Sequence, residues 1–285
     1  MKMKYLLVLL TSTLSIAKVT FQGSVAKKEG NTIQNSIFFS MLMFLSAALL
    51  FCPYLVQVSS TVWIYAAVYA LCNVSFQIVY ISALSRGNVS VAVMFANFGM
   101  VVPIAVSFAM FGDTPSPIRT LGILLTGAAF IFTLKQGAQS KRGYRFLVIL
   151  AFLANGCSLS VQKLFGKACP GENIFSFVSA SYMISAVLCA VICGVMALRV
   201  QKESRMSYKK VIPAALGAGV SLGLFLAINT YAGRVSDGSF HYPAHSGSAM
   251  LLSALVGFLV FREKPTKRQI IAYILGIVAI VLMNF

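Results

Sequence analysis

Ten apolar runs, each long enough to cross a bilayer, divide this chain into regular segments. About 20 residues of α-helix span the roughly 30 Å of hydrocarbon, and the backbone hydrogen bonds of a helix close within it. The predicted spans are Lys4–Ser24, Ile33–Val56, Thr61–Leu84, Val89–Phe111, Pro117–Leu134, Gly143–Phe165, Ile174–Leu198, Lys210–Ala232, Ser239–Phe261 and Lys267–Phe285. Because the connections are short, we predict an all-α integral membrane protein with ten transmembrane helices and no soluble domain.

The composition excludes a soluble protein. Hydrophobic residues make up 59% of the chain and charged residues 10%, with a mean hydropathy of +0.86, whereas soluble proteins are roughly 25% charged. The net charge of +17 comes mostly from basic residues in the connections, where lipid headgroups and membrane orientation explain it. We therefore expect a multi-pass protein of a cell membrane, bacterial inner or plasma membrane, with lipid and no nucleic acid as a partner.

The two halves of the sequence resemble each other. Gln22 and Gln162 occupy equivalent positions in the first and sixth runs, and Asp113 and Glu263 follow the fourth and ninth. We predict a duplication, with repeats at 1–138 and 139–285 forming one membrane domain. A repeat with an odd number of spans must enter the membrane inverted in its second copy, and many transporters are built in this way.

The junctions after the fourth and ninth runs carry helix-start signals. Ser116-Pro117 offers an N-cap with proline in the first turn, and Thr266 to Gln269 forms a capping-box pattern. Asp113 and Glu263 would then lie near helix N-termini, where the helix dipole stabilises a negative charge. We therefore expect both acids to be structural.

With five-plus-five helices, and with FGDTPSPIRTLG and FREKPTKRQIIA at the two junctions, the chain resembles the EamA branch of the drug/metabolite transporter superfamily. The family's glycine nine residues after each acid is matched by Gly122 and replaced by Ala272. The resemblance implies an electrochemically driven or exchange-type carrier of small metabolites such as amino acids, nucleobases or sugars, without a cofactor. The membrane glutamate that small multidrug relatives carry in their first helix is missing, which disfavours a pump for cationic drugs.

Polar residues inside the spans are the candidates for substrate binding, because such groups are costly in hydrocarbon. The acids all lie in or beside connections, so no carboxylate is predicted at mid-membrane. The candidate substrate-binding residues are Lys18, Gln22, Asn73, Gln77, Asn97, Asn155, Ser158, Gln162, Lys163, Asn229, His241 and His245. If the first and sixth spans both face a cavity, their amides and lysines would meet and suit a carboxylate, a phosphate or a polar heterocycle.

Each candidate also has a structural interpretation. The lysines could snorkel towards the interface, and each amide could simply bridge two helices. His241 and His245 share a face and could couple a proton to transport, but the sequence offers no third ligand, so we predict no metal. Gly219 and Gly223 permit close helix packing.

These observations predict a secondary active transporter, carrier or exporter, of a small polar or anionic metabolite. It would work by alternating access as a monomer or homodimer, without a cofactor and with a proton or an exchanged metabolite as a possible coupling partner. A lipid or lipid-linked-sugar flippase on the same scaffold is an alternative. An intramembrane enzyme using Ser248 near His245 is disfavoured, so we predict no enzymatic activity. The distribution of basic residues places both termini outside the cytoplasm, whereas the resemblance implies termini inside, and the orientation is left open.

Overall fold

The computed structural model describes residues 2–28, 33–111, 116–134, 143–199, 208–235, 238–263 and 266–283. The predicted boundary between repeats and Asp113 lie outside these residues. In the described parts the chain forms α-helices and one short 3₁₀ helix, without a strand. The helices are α1 (Lys2–Lys28), α2 (Ile33–Leu50), the 3₁₀ helix (Cys52–Gln57), α3 (Ser60–Arg86), α4 (Val89–Phe98), α5 (Val101–Phe111), α6 (Pro117–Leu134), α7 (Tyr144–Ala168), α8 (Ile174–Arg199), α9 (Tyr208–Val235), α10 (Gly238–Leu259) and α11 (Lys267–Met283).

Six helical segments of the described chain are long and apolar enough to cross a membrane. They are Tyr5–Ala26, Ser60–Arg86, Val89–Val106, Tyr144–Ala168, Ile174–Met196 and Val211–Ala232. Large apolar side chains such as Leu9, Leu124 and Phe146 are exposed on the outer surface of the bundle, as expected where a surface faces lipid rather than water. The prediction of an all-α, membrane-embedded protein is confirmed.

The predicted span Val89–Phe111 is broken into α4 and α5 at Gly99 and Met100. Pro103 has no N–H to donate to the Gly99 carbonyl, so the α-helical ladder cannot continue through this point. The break also lies against α7, where a Cβ atom on Gly99 would be 2.9 Å from the Phe152 carbonyl oxygen. This break interrupts the single span predicted for residues 89–111, and it brings the end of α4 close to the backbone of α7.

Helices of the first half of the chain pack extensively against helices of the second half. Helix α1 packs on α9 and α10, and α7 packs on α3, α4 and α5. Helix α2 packs on α8 and α9, α8 also packs on α3, and α10 also packs on α4. Helix α6 packs on α11, which also contacts α10. Most of the extensive contacts therefore join a helix of the first half of the chain to a helix of the second half.

Glycine makes the contact between α2 and α9 possible. A Cβ atom on Gly219 would overlap the Ser46 hydroxyl and the Met43 carbonyl oxygen, and one on Gly223 would lie 3.4 Å from the Ala47 carbonyl oxygen. These two glycines pack against α2, in the close helix approach that the sequence predicts for them. The contact fixes α2 against α9 over more than one helical turn.

Candidate functional site

Four of the predicted polar residues gather where α1 meets α3. We call this group the α1–α3 polar cluster: Lys18, Gln22, Asn73 and Gln77. The exposed fractions of these side chains are 8%, 0%, 3% and 0%, respectively. On each helix the two residues are four apart, so they share a face one turn from each other. The cluster is therefore a polar layer within an otherwise apolar packing surface.

Only part of the hydrogen-bonding capacity of this cluster is used. Gln22 Nε2 donates to Gln77 Oε1 at 2.7 Å and to Met43 Sδ at 3.3 Å. In the described part of the chain, Asn73 Nδ2, Gln77 Nε2 and Gln22 Oε1 have no hydrogen-bond partner. Exchanging the oxygen and nitrogen of both glutamine amides, which are assigned rather than observed, leaves the same number of unmet groups on the pair.

The ammonium of Lys18 lies over an aromatic ring. Its Nζ is 5.8 Å from the centre of the Phe76 ring, a distance at which the negative face of the ring attracts a cation. This attraction is worth about 0.5–2 kcal/mol, less than the several kcal/mol that an unpaired buried charge costs. The attraction to Phe76 alone therefore does not offset the cost of holding the charge of this 8% exposed side chain.

A second buried group, the α7–α9 polar cluster, consists of Gln162, Asn229 and Thr230. Asn229 Nδ2 donates to Gln162 Oε1 at 3.0 Å, and Gln162 Nε2 donates to Thr230 Oγ1 at 2.9 Å. The exposed fractions are 2%, 0% and 1%. Sequence reasoning missed Thr230, although its position beside Asn229 in an apolar run was a usable signal.

The two clusters lie at different depths. Helices α3 and α7 are antiparallel, because Tyr65 contacts Phe165 with ring centres 5.8 Å apart and the Tyr144 hydroxyl donates to the Asn88 carbonyl. Gln162, three residues before Phe165, is therefore level with residue 68 of α3, about 13 Å along the helix from Gln77. The expectation that the amides of the first and sixth spans meet is wrong: Gln22 bonds to α3 and Gln162 to α9.

Other candidates have local partners. Asn155 Nδ2 donates to the Ala96 carbonyl at 2.7 Å, bridging α7 to the end of α4 beside the break, while Asn97 Nδ2 has no partner among the described residues. Ser158 donates to the Ala154 carbonyl of its own helix. Lys163 is partly exposed.

The described contacts do not pair His245 with Ser248, the two residues of the disfavoured enzyme alternative. His245 Nδ1 lies 3.3 Å from Ser12 Oγ, joining α10 to α1, and Ser248 donates to the Ala244 carbonyl of its own helix. The side chain of His241 lies outside the described residues. The described residues contain no group of three or more His, Cys, Asp or Glu side chains placed to hold a metal ion.

Glu263 has a structural role, but at a different helix from the one expected. Its carboxylate accepts from Val89 N at 2.6 Å, from Ser90 N at 3.2 Å and from the Ser90 hydroxyl. It therefore caps α4, whereas its position in the sequence predicts a place at the start of the helix that follows it. Beside this cap, a pocket of about 220 Å³ is lined by Asn88, Glu263, Gln269 and Tyr273 among others.

Glu263→Ala is expected to lower the free energy of unfolding by about 1–2 kcal/mol, the usual cost of losing an N-cap. The amide in Glu263→Gln keeps an acceptor oxygen without the charge, so its loss should be smaller. Thermal unfolding of the purified protein in one detergent checks this order. A melting temperature of Glu263→Ala equal to that of the unsubstituted protein would contradict the assigned cap.

The predicted capping box at the start of α11 is confirmed. Thr266 N donates to Gln269 Oε1 at 2.8 Å, and Gln269 N donates to Thr266 Oγ1 at 3.3 Å. Both donors would otherwise be unpaired at the helix start.

Comparison with known proteins shows the fold of this chain but not its family. No protein-family model and no curated protein matches the sequence. Among solved structures, 28 chains match. One of them, described only as "Crystal structure of protein", aligns over 98% of this chain and 94% of its own, with a TM-score of 0.64 and 15% sequence identity. At this identity the likeness shows that the whole chain adopts a known fold, and the EamA resemblance stays a prediction.

Proposed function

We propose that the chain is a secondary active transporter of a small polar or anionic metabolite. It works by alternating access on a scaffold of two inverted five-helix repeats, residues 1–138 and 139–285, as in the EamA branch of the drug/metabolite transporters. It is not an enzyme, and it needs no cofactor.

The observation that carries this proposal is the pattern of helix packing. Taking α4 and α5 as one span, the first half contributes α1, α2, α3, α4–α5 and α6, and the second contributes α7 to α11. In this arrangement α1 corresponds to α7, α2 to α8, α3 to α9, and α4–α5 to α10. The contact of α1 with α9 then corresponds to that of α7 with α3, the contact of α2 with α9 to that of α8 with α3, and the contact of α1 with α10 to that of α7 with α4. All six contacts occur. Three further contacts each join a helix to its own counterpart in the other half: α2 with α8, α4 with α10, and α6 with α11. Such a pattern is expected of two repeats related by a twofold axis in the membrane plane.

The polar residues follow the same exchange. The first helix of each half carries a buried glutamine, and each glutamine bonds to the third helix of its own half. The break between α4 and α5 adds a discontinuous helix, a feature that transporters place near their binding sites. Amides alone could be explained by helix bridging at about 1 kcal/mol each. A buried lysine cannot be explained by helix bridging, because its burial is costly. This cost favours a functional role for Lys18.

Transport should be measurable after a ligand screen. Small metabolites are first tested for raising the melting temperature of the purified protein, since a ligand that binds only the folded state stabilises it. Ligands that do so are then offered to proteoliposomes as radiolabelled solutes. We expect saturable uptake that Gln22→Ala lowers at least about tenfold, the cost of one hydrogen bond of about 1.4 kcal/mol. Absence of uptake above that of empty liposomes for all stabilising ligands would contradict the proposal.

Alternating access predicts that the contact between α4 and α10 opens during transport. A Cβ atom on Gly257 would lie 3.0 Å from Ser90 Cβ, so cysteines at the two positions need only a small shift to form a disulfide. With the six native cysteines replaced, oxidation of the Ser90→Cys, Gly257→Cys protein should stop uptake, and reduction should restore it. Ser90→Cys alone is the control. Full uptake by completely cross-linked protein would show that this contact does not open.

A further inference from the structure

We infer that the α1–α3 polar cluster binds the single carboxylate of a small monocarboxylate, and that the α7–α9 polar cluster is its structural counterpart and does not bind it. This inference rests on the proposed function and names the class of substrate. It is carried by a difference between two clusters that occupy equivalent positions in the two halves.

The first part of that difference is hydrogen-bond satisfaction. In the α7–α9 cluster the amide nitrogens of Gln162 and Asn229 both donate within the cluster, to Thr230 Oγ1 and to Gln162 Oε1. In the α1–α3 cluster the nitrogens of Asn73 and Gln77 have no acceptor among the described residues. Leaving a buried donor unmet costs about 1–3 kcal/mol. The unmet donors of the first cluster therefore favour an occupant that supplies acceptors.

The second part is charge. The equivalent of Lys18 in the second half is Ser158, whose hydroxyl donates to its own helix. Of the acids, the structure describes Glu172, which accepts from Ser59 Oγ at 2.7 Å, and Glu263, which caps α4. Neither contact involves Lys18. The first cluster thus offers one positive charge to an occupant, and the second offers none.

One positive charge selects a monoanion. A phosphate group carries about 1.5–2 negative charges near neutral pH, so beside a single ammonium it would bury uncompensated charge. A carboxylate carries one charge and presents about four acceptor sites on two oxygens. Four sites are enough to accept from the ammonium of Lys18 and from the amide nitrogens of Asn73 and Gln77, which have no acceptor among the described residues. The remaining acceptor, Gln22 Oε1, suits a hydroxyl or N–H beside the carboxylate.

The test compares acids with their own neutral derivatives. Purified full-length protein is screened by thermal unfolding against small 2-hydroxy and N-acyl monocarboxylates, each beside its primary amide and methyl ester, with sodium phosphate and sodium chloride at the same ionic strength. We expect at least one acid to raise the melting temperature while its amide, its ester and both salts do not. If no acid exceeds its neutral derivatives, or if phosphate stabilises the protein equally well, the inference is wrong.

Variants then locate the effect. Lys18→Met and Asn73→Leu should each weaken the apparent affinity for a stabilising acid about tenfold or more, as expected for a lost hydrogen bond to a charged group. Thr230→Val, which removes the acceptor for Gln162 in the other cluster, should leave the affinity unchanged. Equal affinity in Lys18→Met, or an equal loss in Thr230→Val, would overturn the assignment.

The outcomes separate this inference from the proposed function. Saturable uptake of a neutral or cationic solute, unchanged in Lys18→Met, would support the transporter function and contradict the carboxylate site. Lys18-dependent binding of a carboxylate without uptake would support the carboxylate site and contradict the transporter function.

Discussion

Gly219→Ala is expected to lower the free energy of unfolding by about 3 kcal/mol, the upper range for overpacking in a core, and to sharply reduce the yield of folded protein. The added methyl group would overlap the Ser46 hydroxyl and the Met43 carbonyl oxygen. Ser46 can rotate, but the Met43 carbonyl belongs to the backbone of α2, so relief requires α2 and α9 to separate. Separation would loosen the apolar contacts along both helices.

Gly194→Ala on α8 is the matched control. No described atom outside the helix backbone lies within 4 Å of the Cβ position at Gly194, and alanine is favoured over glycine in a helix by up to about 1 kcal/mol. This variant should therefore be as stable as the unsubstituted protein or more so. Melting temperature and the monodisperse fraction in size-exclusion chromatography check both variants. Similar behaviour of the two alanine variants would contradict the tight α2–α9 contact.

Lys18→Met is expected to raise the melting temperature and at the same time to lower uptake about tenfold or more. Methionine fills a similar volume without a charge, so the variant removes the desolvation cost of an ammonium that has no acid beside it in the described part of the chain. After loss of the attraction to Phe76, a net gain of about 1–3 kcal/mol is expected. Opposite changes in stability and transport are typical of residues retained for function.

Thermal unfolding and proteoliposome uptake of the same preparation test this prediction. Lys163→Met, at a lysine that is less buried, should change the melting temperature less. A clear loss of stability in Lys18→Met would mean that the lysine stabilises the fold, and undiminished uptake would mean that it does not serve transport.

The sequence is most informative where the physics is local. Each apolar run contains a helix, with α4 and α5 in one run, and six of the helical segments are long and apolar enough to cross a bilayer. The capping box of Thr266 and Gln269 was predictable since its two residues are three positions apart. The break at Gly99 was not foreseen, although Gly99 and Pro103 both signal it, because the apolar run continues across them without interruption.

The candidate site was predicted in its residues but not in its contacts. Helical spacing correctly places Lys18 with Gln22 and Asn73 with Gln77 on shared, buried faces. Spacing along one helix cannot reveal which other helix that face meets, so the bond between Gln22 and Gln77 was not anticipated. The cap that Glu263 forms on α4 could not be predicted for the same reason, since Glu263 is 174 positions away from Val89 in the chain.

The close contact at Gly219 also bears on how such a protein can move. It joins α2, from the first half of the chain, to α9, from the second half, with no room for even a methyl group between them. Two helices fitted so tightly must travel as one piece. In the proposed transporter, the helices that move together would therefore come from both proposed repeats rather than from one of them.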